Sequence, residues 1–236
     1  MKQTPILYST PMVQAIQAGI KTKTRRLNGL DEINKNPDDW WVINTWPYTF
    51  RGKKQIDKFS VQFNPINDFN AGSKNLKYIE CPFGGIGDIL WVRETFTILN
   101  YYKTENYPHG KCFYKADNPD FSMFEKYEMP KWKPSIFLPK AHCRIWLQIK
   151  SIKVERLQSI SEQDAIQEGI VRIKAPDNIL CYYFYPCNDL RDDSYIEDDP
   201  IISFMSLWVS INKWKSWNLN PWVWVIEFEQ IEKPII

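Results

Sequence analysis

The stretch Arg144-Ile145-Trp146-Leu147-Gln148-Ile149-Lys150-Ser151-Ile152-Lys153-Val154-Glu155-Arg156-Leu157 constrains the fold more than any other. Apolar and polar side chains alternate along it, the period of a strand with one buried and one wetter face, and it predicts a long β segment with a bend near Ser151. Short elements surround it. Residues 4–9 read as a first strand. Pro11 to Ala18 reads as a helix with Thr10 as its N-cap, Pro11 in its first turn and Gly19 as its stop. Trp40 to Ile43 and Phe59 to Phe63 are strand patterns inside 28–80, a stretch otherwise rich in Asn, Asp, Gly and Pro that predicts a hairpin-bearing insertion. Ile89 to Phe96, Lys111 to Asp117 and Pro221 to Phe228 supply further strands. Ser161 to Ile170 predicts a short helix capped by Ser161, with Asp164 at its third position and Gly169 at its end. A helix over 204–212 puts Phe204, Leu207, Trp208 and Ile211 on one side. Residues 172–202 form an acidic, tyrosine-rich loop, the second insertion. The sum predicts an α+β chain: one domain over 1–236, a β-barrel with short flanking helices and insertions at about 28–80 and 172–202.

Charge is concentrated at Gly19-Ile20-Lys21-Thr22-Lys23-Thr24-Arg25-Arg26, where four of eight side chains are cationic. By charge alone a solvated, idle helix end is the more ordinary reading of this run. Net charge is only +2, from 30 basic and 28 acidic residues, which argues against a general polyanion-coating protein. The 11 Trp, 12 Tyr and 13 Phe offer stacking faces for bases as well as core volume. Pro130, Pro134 and Pro139 exclude both a helix and a central strand from 130–140 and leave a stiff extended segment. Its Lys131, Trp132, Lys133 and Lys140 interleave charge and ring as a nucleotide site would, or form a connector with a packed Trp. The glycines of Cys81-Pro82-Phe83-Gly84-Gly85-Ile86-Gly87 precede a strand rather than a helix, so they do not form a phosphate loop.

Five cysteines without a C-x-x-C, no secretory leader and no run of ~18 apolar residues predict reduced thiols, a cytoplasmic location and no membrane contact. Cys81, His109, Cys112 and Cys143 match no standard zinc-finger spacing, and neither metal nor cofactor is expected.

Gly19-x-Lys21-x-x-Thr24-x-Arg26 resembles the signature turn of ASCH domains, small PUA-like β-barrels linked to RNA. Thr24 stands where that family usually has an acid. The bacterial N4-acetylcytidine amidohydrolases share this feature, their turn reading Gly-x-Lys-Thr-x-Thr-x-Arg. Gly87-Asp88-Ile89-Leu90 is similar to the family's Gly-Asp lead into a strand. Asp164-Ala165-Ile166-Gln167-Glu168 is similar to the helix bearing that branch's catalytic glutamate, and Pro221 to Phe228 to the closing strand. At full length the chain resembles long ASCH-type proteins of phages and prophages, over about 1–28, 86–117, 130–171 and 203–229.

The resemblance implies a pocket for RNA or a modified nucleoside and, for the amidohydrolase branch, catalysis by Lys21, Thr24 and Glu168 on an N4-acylated cytidine. Two assignments are open. A neutral Lys21, depressed from an ordinary lysine pKa of ~10.4, takes the Thr24 proton; or Glu168 is the base and Lys21 stabilises the oxyanion. A helical turn would set Lys21 and Thr24 on one face. Arg26 would meet a phosphate or carbonyl, Trp132 and Lys133 the opposite pocket wall, and Arg93 with Glu94 a second polar face. The alternatives are a non-catalytic RNA or modified-nucleotide binding module and a ribonuclease using Lys21, Arg25 and Arg26. The ribonuclease has only His109 and His142 to draw on for acid-base work. A phage structural or interaction protein is the reading without a nucleotide.

Overall fold

The computed structural model describes residues 1–50, 53–66, 75–99, 111–118, 131–174, 180–184 and 199–234. Its first half runs β1 (Gln3–Leu7), α1 (Thr10–Gln17), β2 (Lys23–Arg26), β3 (Trp40–Phe50), β4 (Lys53–Pro65), β5 (Lys77–Glu80), β6 (Ile89–Arg93), β7 (Phe96–Leu99) and β8 (Lys111–Tyr114). Then follow β9 (Trp146–Arg156), α2 (Glu162–Gln167), β10 (Ile170–Lys174), β11 (Leu180–Phe184), α3 (Pro200–Leu219) and β12 (Trp222–Ile231). The class is α+β.

The alternating segment becomes β9, the middle strand of a five-stranded sheet ordered β1-β6-β9-β12-β2. The expected bend is a bulge: Glu227 of β12 pairs with Ser151, Phe228 with Ile149, and Lys150 is the extra residue. One inserted residue shifts the alternation by one, so Leu147 and Ile149 before it and Ile152 after it reach the same core. That inner core also holds Ile6, Leu90, Trp224, Ile226 and Phe228, and the sheet β3-β4-β5 closes it with Phe59, Val61 and Phe63. On the outer face Val223 and Val225 pack with Leu157 and Ile160, with Ala165 of α2 and with Phe204, Leu207 and Trp208 of α3. Successive residues of β12 from Val223 to Ile226 thus serve different cores, as strand geometry requires.

The expected barrel is not closed by strand pairing. β1 and β2 are the two edges of the five-stranded sheet, and no ladder among the described residues joins them. A side chain bridges them instead: Arg26 Nη2 donates to Leu7 O at 2.9 Å. Helix α1 links the same two edges in sequence.

Several expected elements change. Residues 23–26 form a strand rather than a helical turn, because Gly19 takes a left-handed φ of 71° that stops α1 and the chain then pairs with β12. The strand expected over 89–96 divides after Arg93, and β7 pairs with β8 instead. Within 130–140, Lys133 bridges to Phe96 and Ser135–Phe137 forms a single 3-10 turn. The insertion over 172–202 carries the hairpin β10–β11. Residues 189–198 of its acidic run lie outside the described residues, while Asp199 caps α3 by accepting from Ile201 N at 2.6 Å. Helix α3 continues beyond Asn212 after a break at Lys213, which has a φ of 70° and ψ of 160°. No helix among the described residues is long and apolar enough to cross a membrane.

Trp224 joins the two sheets. It is fully buried, meets Phe59 edge-on at 6.1 Å and donates its indole N–H to Asn28 O at 2.9 Å. Trp224→Ala is expected to cost about 3–5 kcal/mol, read as a lower midpoint in urea unfolding, since it opens a cavity and orphans a carbonyl.

Candidate functional site

The chemistry gathers at the edge strand β2. Antiparallel pairing sets Thr24 opposite Ile226 and Arg26 opposite Trp224, both on the inner face, while Arg25 lies opposite Val225 on the outer face. The cationic run is therefore split between two environments.

On the outer face it meets carboxylates. Arg25 Nη2 donates to Glu155 Oε1 at 2.6 Å and to Asp164 Oδ2 at 3.1 Å, and its Nη1 donates to Glu168 Oε1 at 3.2 Å. Lys23 Nζ donates to Asp164 Oδ1 at 2.6 Å, and Lys153 pairs with Glu155 at 2.7 Å. Burial would raise the Asp164 pKa, but Lys23, Arg25 and Lys153 outweigh it and hold the carboxyl below its ordinary range.

Lys21 lies deepest. Its side chain is 0% exposed, and its three N–H bonds go to Lys23 O at 2.8 Å, Glu168 O at 2.7 Å and Glu168 Oε2 at 2.8 Å. An ammonium has three donors, and all three are used. Burial lowers the Lys21 pKa, with Glu168 pulling against it. Helix α2 delivers Glu168: Ser161 caps it by accepting from Asp164 N at 3.1 Å, and Glu168 closes its C-terminus. Gly169, at a φ of 104°, turns the chain so that an added Cβ would lie 3.4 Å from Ala15 Cβ and 3.5 Å from Lys21 Cβ. Those distances are ordinary contacts, so it is the positive φ that calls for glycine here.

Beside this network a cavity of about 280 Å³ opens along β2. Thr24, Arg25, Arg26 and Glu168 line one side, and Phe204, Leu207, Trp208 and Ile211 of α3 the other; Leu7, Ser9 and Met12 close the end. The cavity is close to the lower limit of small-molecule pockets, the scale of one heterocycle rather than a folded polymer.

The structure brings Lys21 and Glu168 into contact and sets Thr24 and Glu168 around one cavity, with Lys21 behind Glu168 rather than at the surface. Arg26 lines the cavity, its guanidinium 4.9 Å over the Tyr8 ring. Arg25 borders it, but its Nη groups are committed to carboxylates. The other expected binding residues lie away from the cavity lining. Arg93 donates to Ile136 O at 3.1 Å and stacks over Trp91, and buried Glu94 is gripped by Arg144 through two 2.9 Å bonds. Lys133 pairs with Phe96 through the backbone, and Trp132 is half-buried on the same segment. None of these four is among the cavity-lining residues, although Arg93 pairs in register with Leu7, which closes the cavity's end. Among the described residues no group of three or more His, Cys, Asp or Glu could hold a metal. Glu155 and Tyr8 carried no local signal. The helical face of Phe204, Leu207 and Trp208 did, but as core rather than as a cavity wall.

Compared with protein-family models, curated proteins and solved structures, the chain matches none.

Two outcomes are expected here. Glu168→Ala strands the buried Lys21 ammonium and should cost about 3–5 kcal/mol in denaturant unfolding. Asp164 has a folded pKa below its unfolded value of about 3.9, so its contribution is full above that value and is lost as pH falls through the folded pKa. Thermal melts between pH 6 and pH 2 should therefore fall more steeply for wild type than for Asp164→Asn.

Proposed function

We propose that the chain is an ASCH-type, PUA-like protein whose cavity at Thr24 takes a modified pyrimidine nucleoside and hydrolyses its exocyclic amide. The carrying observation is the shared cavity of Thr24 and Glu168, with Lys21 bonded to Glu168 from behind. The motif residues that carry the ASCH resemblance fall together in space, Lys21, Thr24 and Arg26 at β2 and Glu168 at the end of α2. The aromatic and aliphatic wall on α3 suits the faces of a planar base.

In this reading Thr24 Oγ1 attacks the acyl carbon while its proton passes to Glu168. The carbonyl π electrons move onto oxygen, and their return expels the cytidine N4, which takes the proton back from Glu168. Water then attacks the threonyl ester, giving its proton to Glu168 and finally to Thr24, so that one amide and one water become an amine and a carboxylic acid. Glu168 serves as base because it borders the cavity and retains lone pairs beyond the ones used by Lys21 and Arg25. Lys21 is a positioning residue. With three acceptors already on its nitrogen, it is suited neither to taking the Thr24 proton nor to holding an oxyanion.

A second reading has one observation in its favour. Lys21 uses all three of its donors and each oxygen of Glu168 is held by a cation, as in a structural ion network, which fits a reader of modified nucleosides without turnover. Ribonuclease chemistry has less support, since Lys21 and Arg25 would have to leave Glu168 to meet a phosphorane.

The test is acetate release from N4-acetylcytidine. Wild type is expected to turn over, and Thr24→Ala to lose at least about 10²-fold in kcat with its fold intact by circular dichroism. Binding of N4-acetylcytidine without acetate release would overturn the enzyme and leave the reader.

A further inference from the structure

The cavity beside Thr24 has a second compartment. Leu27, which follows β2, and Asn212, which precedes the break in α3, line both it and a more open hollow of about 330 Å³. Asp31, Asn34, Lys215 and Ser216 supply the polar side of that hollow. Two of the four are already engaged. The Asn34 amide exchanges bonds of 2.7 and 2.9 Å with the backbone of Trp222, and Ser216 accepts from the Trp208 indole at 3.2 Å. Asp31 and Lys215 are exposed, and among the described residues neither side chain has a hydrogen-bond or ion-pair partner. Opposite charges thus border one hollow without closing on each other.

The two compartments are spaced as a nucleoside needs. From Thr24 to Leu27 the chain advances three residues, about 10 Å of extended backbone, which leaves room for one pyrimidine ring between them. In a cytidine, N4 and the sugar-bearing N1 lie on opposite sides of that ring. A base whose acyl group meets Thr24 therefore carries its sugar away from Thr24, and the way past Leu27 and Asn212 leads to Asp31 and Lys215. A carboxylate only accepts and an ammonium only donates, whereas a hydroxyl does both, so neighbouring sugar hydroxyls can satisfy the two together.

We infer that this hollow is a ribose subsite, in which Asp31 accepts hydrogen bonds from the vicinal hydroxyls and Lys215 donates to them. The inference rests on the modified-nucleoside reading and narrows it: the ligand is a ribonucleoside, held by its sugar as well as by its base.

The experiment measures calorimetric binding of N4-acetylcytidine, its 2′-deoxy analogue and the free base N4-acetylcytosine to wild type, Asp31→Ala and Lys215→Ala. Binding is read rather than turnover, so the result does not depend on whether acetate leaves. Both side chains are exposed and unpartnered, so each variant should unfold at the wild-type temperature. Wild type is expected to hold the ribonucleoside at least about tenfold more tightly than either other compound. Asp31→Ala should lose most of that preference while binding N4-acetylcytosine as wild type does, and Lys215→Ala should weaken the ribonucleoside in the same direction. Wild-type affinity for the base or the deoxy analogue equal to that for the ribonucleoside, or a preference that survives Asp31→Ala, overturns the subsite and leaves the base pocket standing. Binding of none of the three by wild type overturns the nucleoside reading and the subsite with it.

Discussion

A lysine ammonium enclosed by three oxygens is the interaction on which the rest of the site depends. Placing Lys21 beyond the reach of water costs several kcal/mol unless every N–H has an acceptor. Two of the three acceptors belong to one residue, Glu168, through its backbone carbonyl and its carboxylate. The C-terminus of α2 therefore has one place to dock. A shift along β2 would leave a bare cation in the interior. This single contact sets α2 against β2, fixes where Glu168 emerges and so defines one wall of the cavity.

The same logic recasts the basic run. Read along the chain, Lys21 to Arg26 is a block of positive charge, apt for phosphate. In space, Lys21, Lys23 and Arg25 face Glu168, Asp164 and Glu155, residues 130 or more positions away in sequence. Strand alternation sends Lys23 and Arg25 to the outer network and sends Thr24 and Arg26 inward, while Lys21 reaches Glu168 from the turn before β2. What lines the cavity is the hydroxyls of Thr24 and Ser9, the Glu168 carboxylate and the Arg26 guanidinium, with Arg25 held by carboxylates, beside the apolar side of α3. Such a set suits a small, largely neutral molecule better than a polyanion.

Much of this was legible from residue order. The alternation around β9, the Ser161 cap, the Gly169 stop and the apolar side of α3 are local patterns, and local patterns survive folding because the backbone enforces their period. The approach of Glu168 to Lys21 came from a motif resemblance, not from periodicity, and the geometry of the ion network could not be read at all, since carboxylates from β9 and α2 reach it only through sheet pairing. Trp132, Lys133, Arg93 and Glu94 show the opposite error. Each has suitable chemistry, but the proline segment follows β6 and β7 rather than β2. Lys213 explains why α3 looked complete at Asn212: its backbone leaves the helical region there, and the helix resumes beyond the break.

The seam between β1 and β2 has a consequence for how such a site can diverge. Where backbone ladders close a sheet, the width of its mouth is dictated by strand register, and altering it means re-pairing whole strands. Here, among the described residues, one guanidinium tethers the two rims, so a change at position 26 alters the seam without re-pairing any strand. Descendants of this scaffold can admit larger guests by changing position 26 and the facing helix, without disturbing the interior that keeps the polypeptide folded.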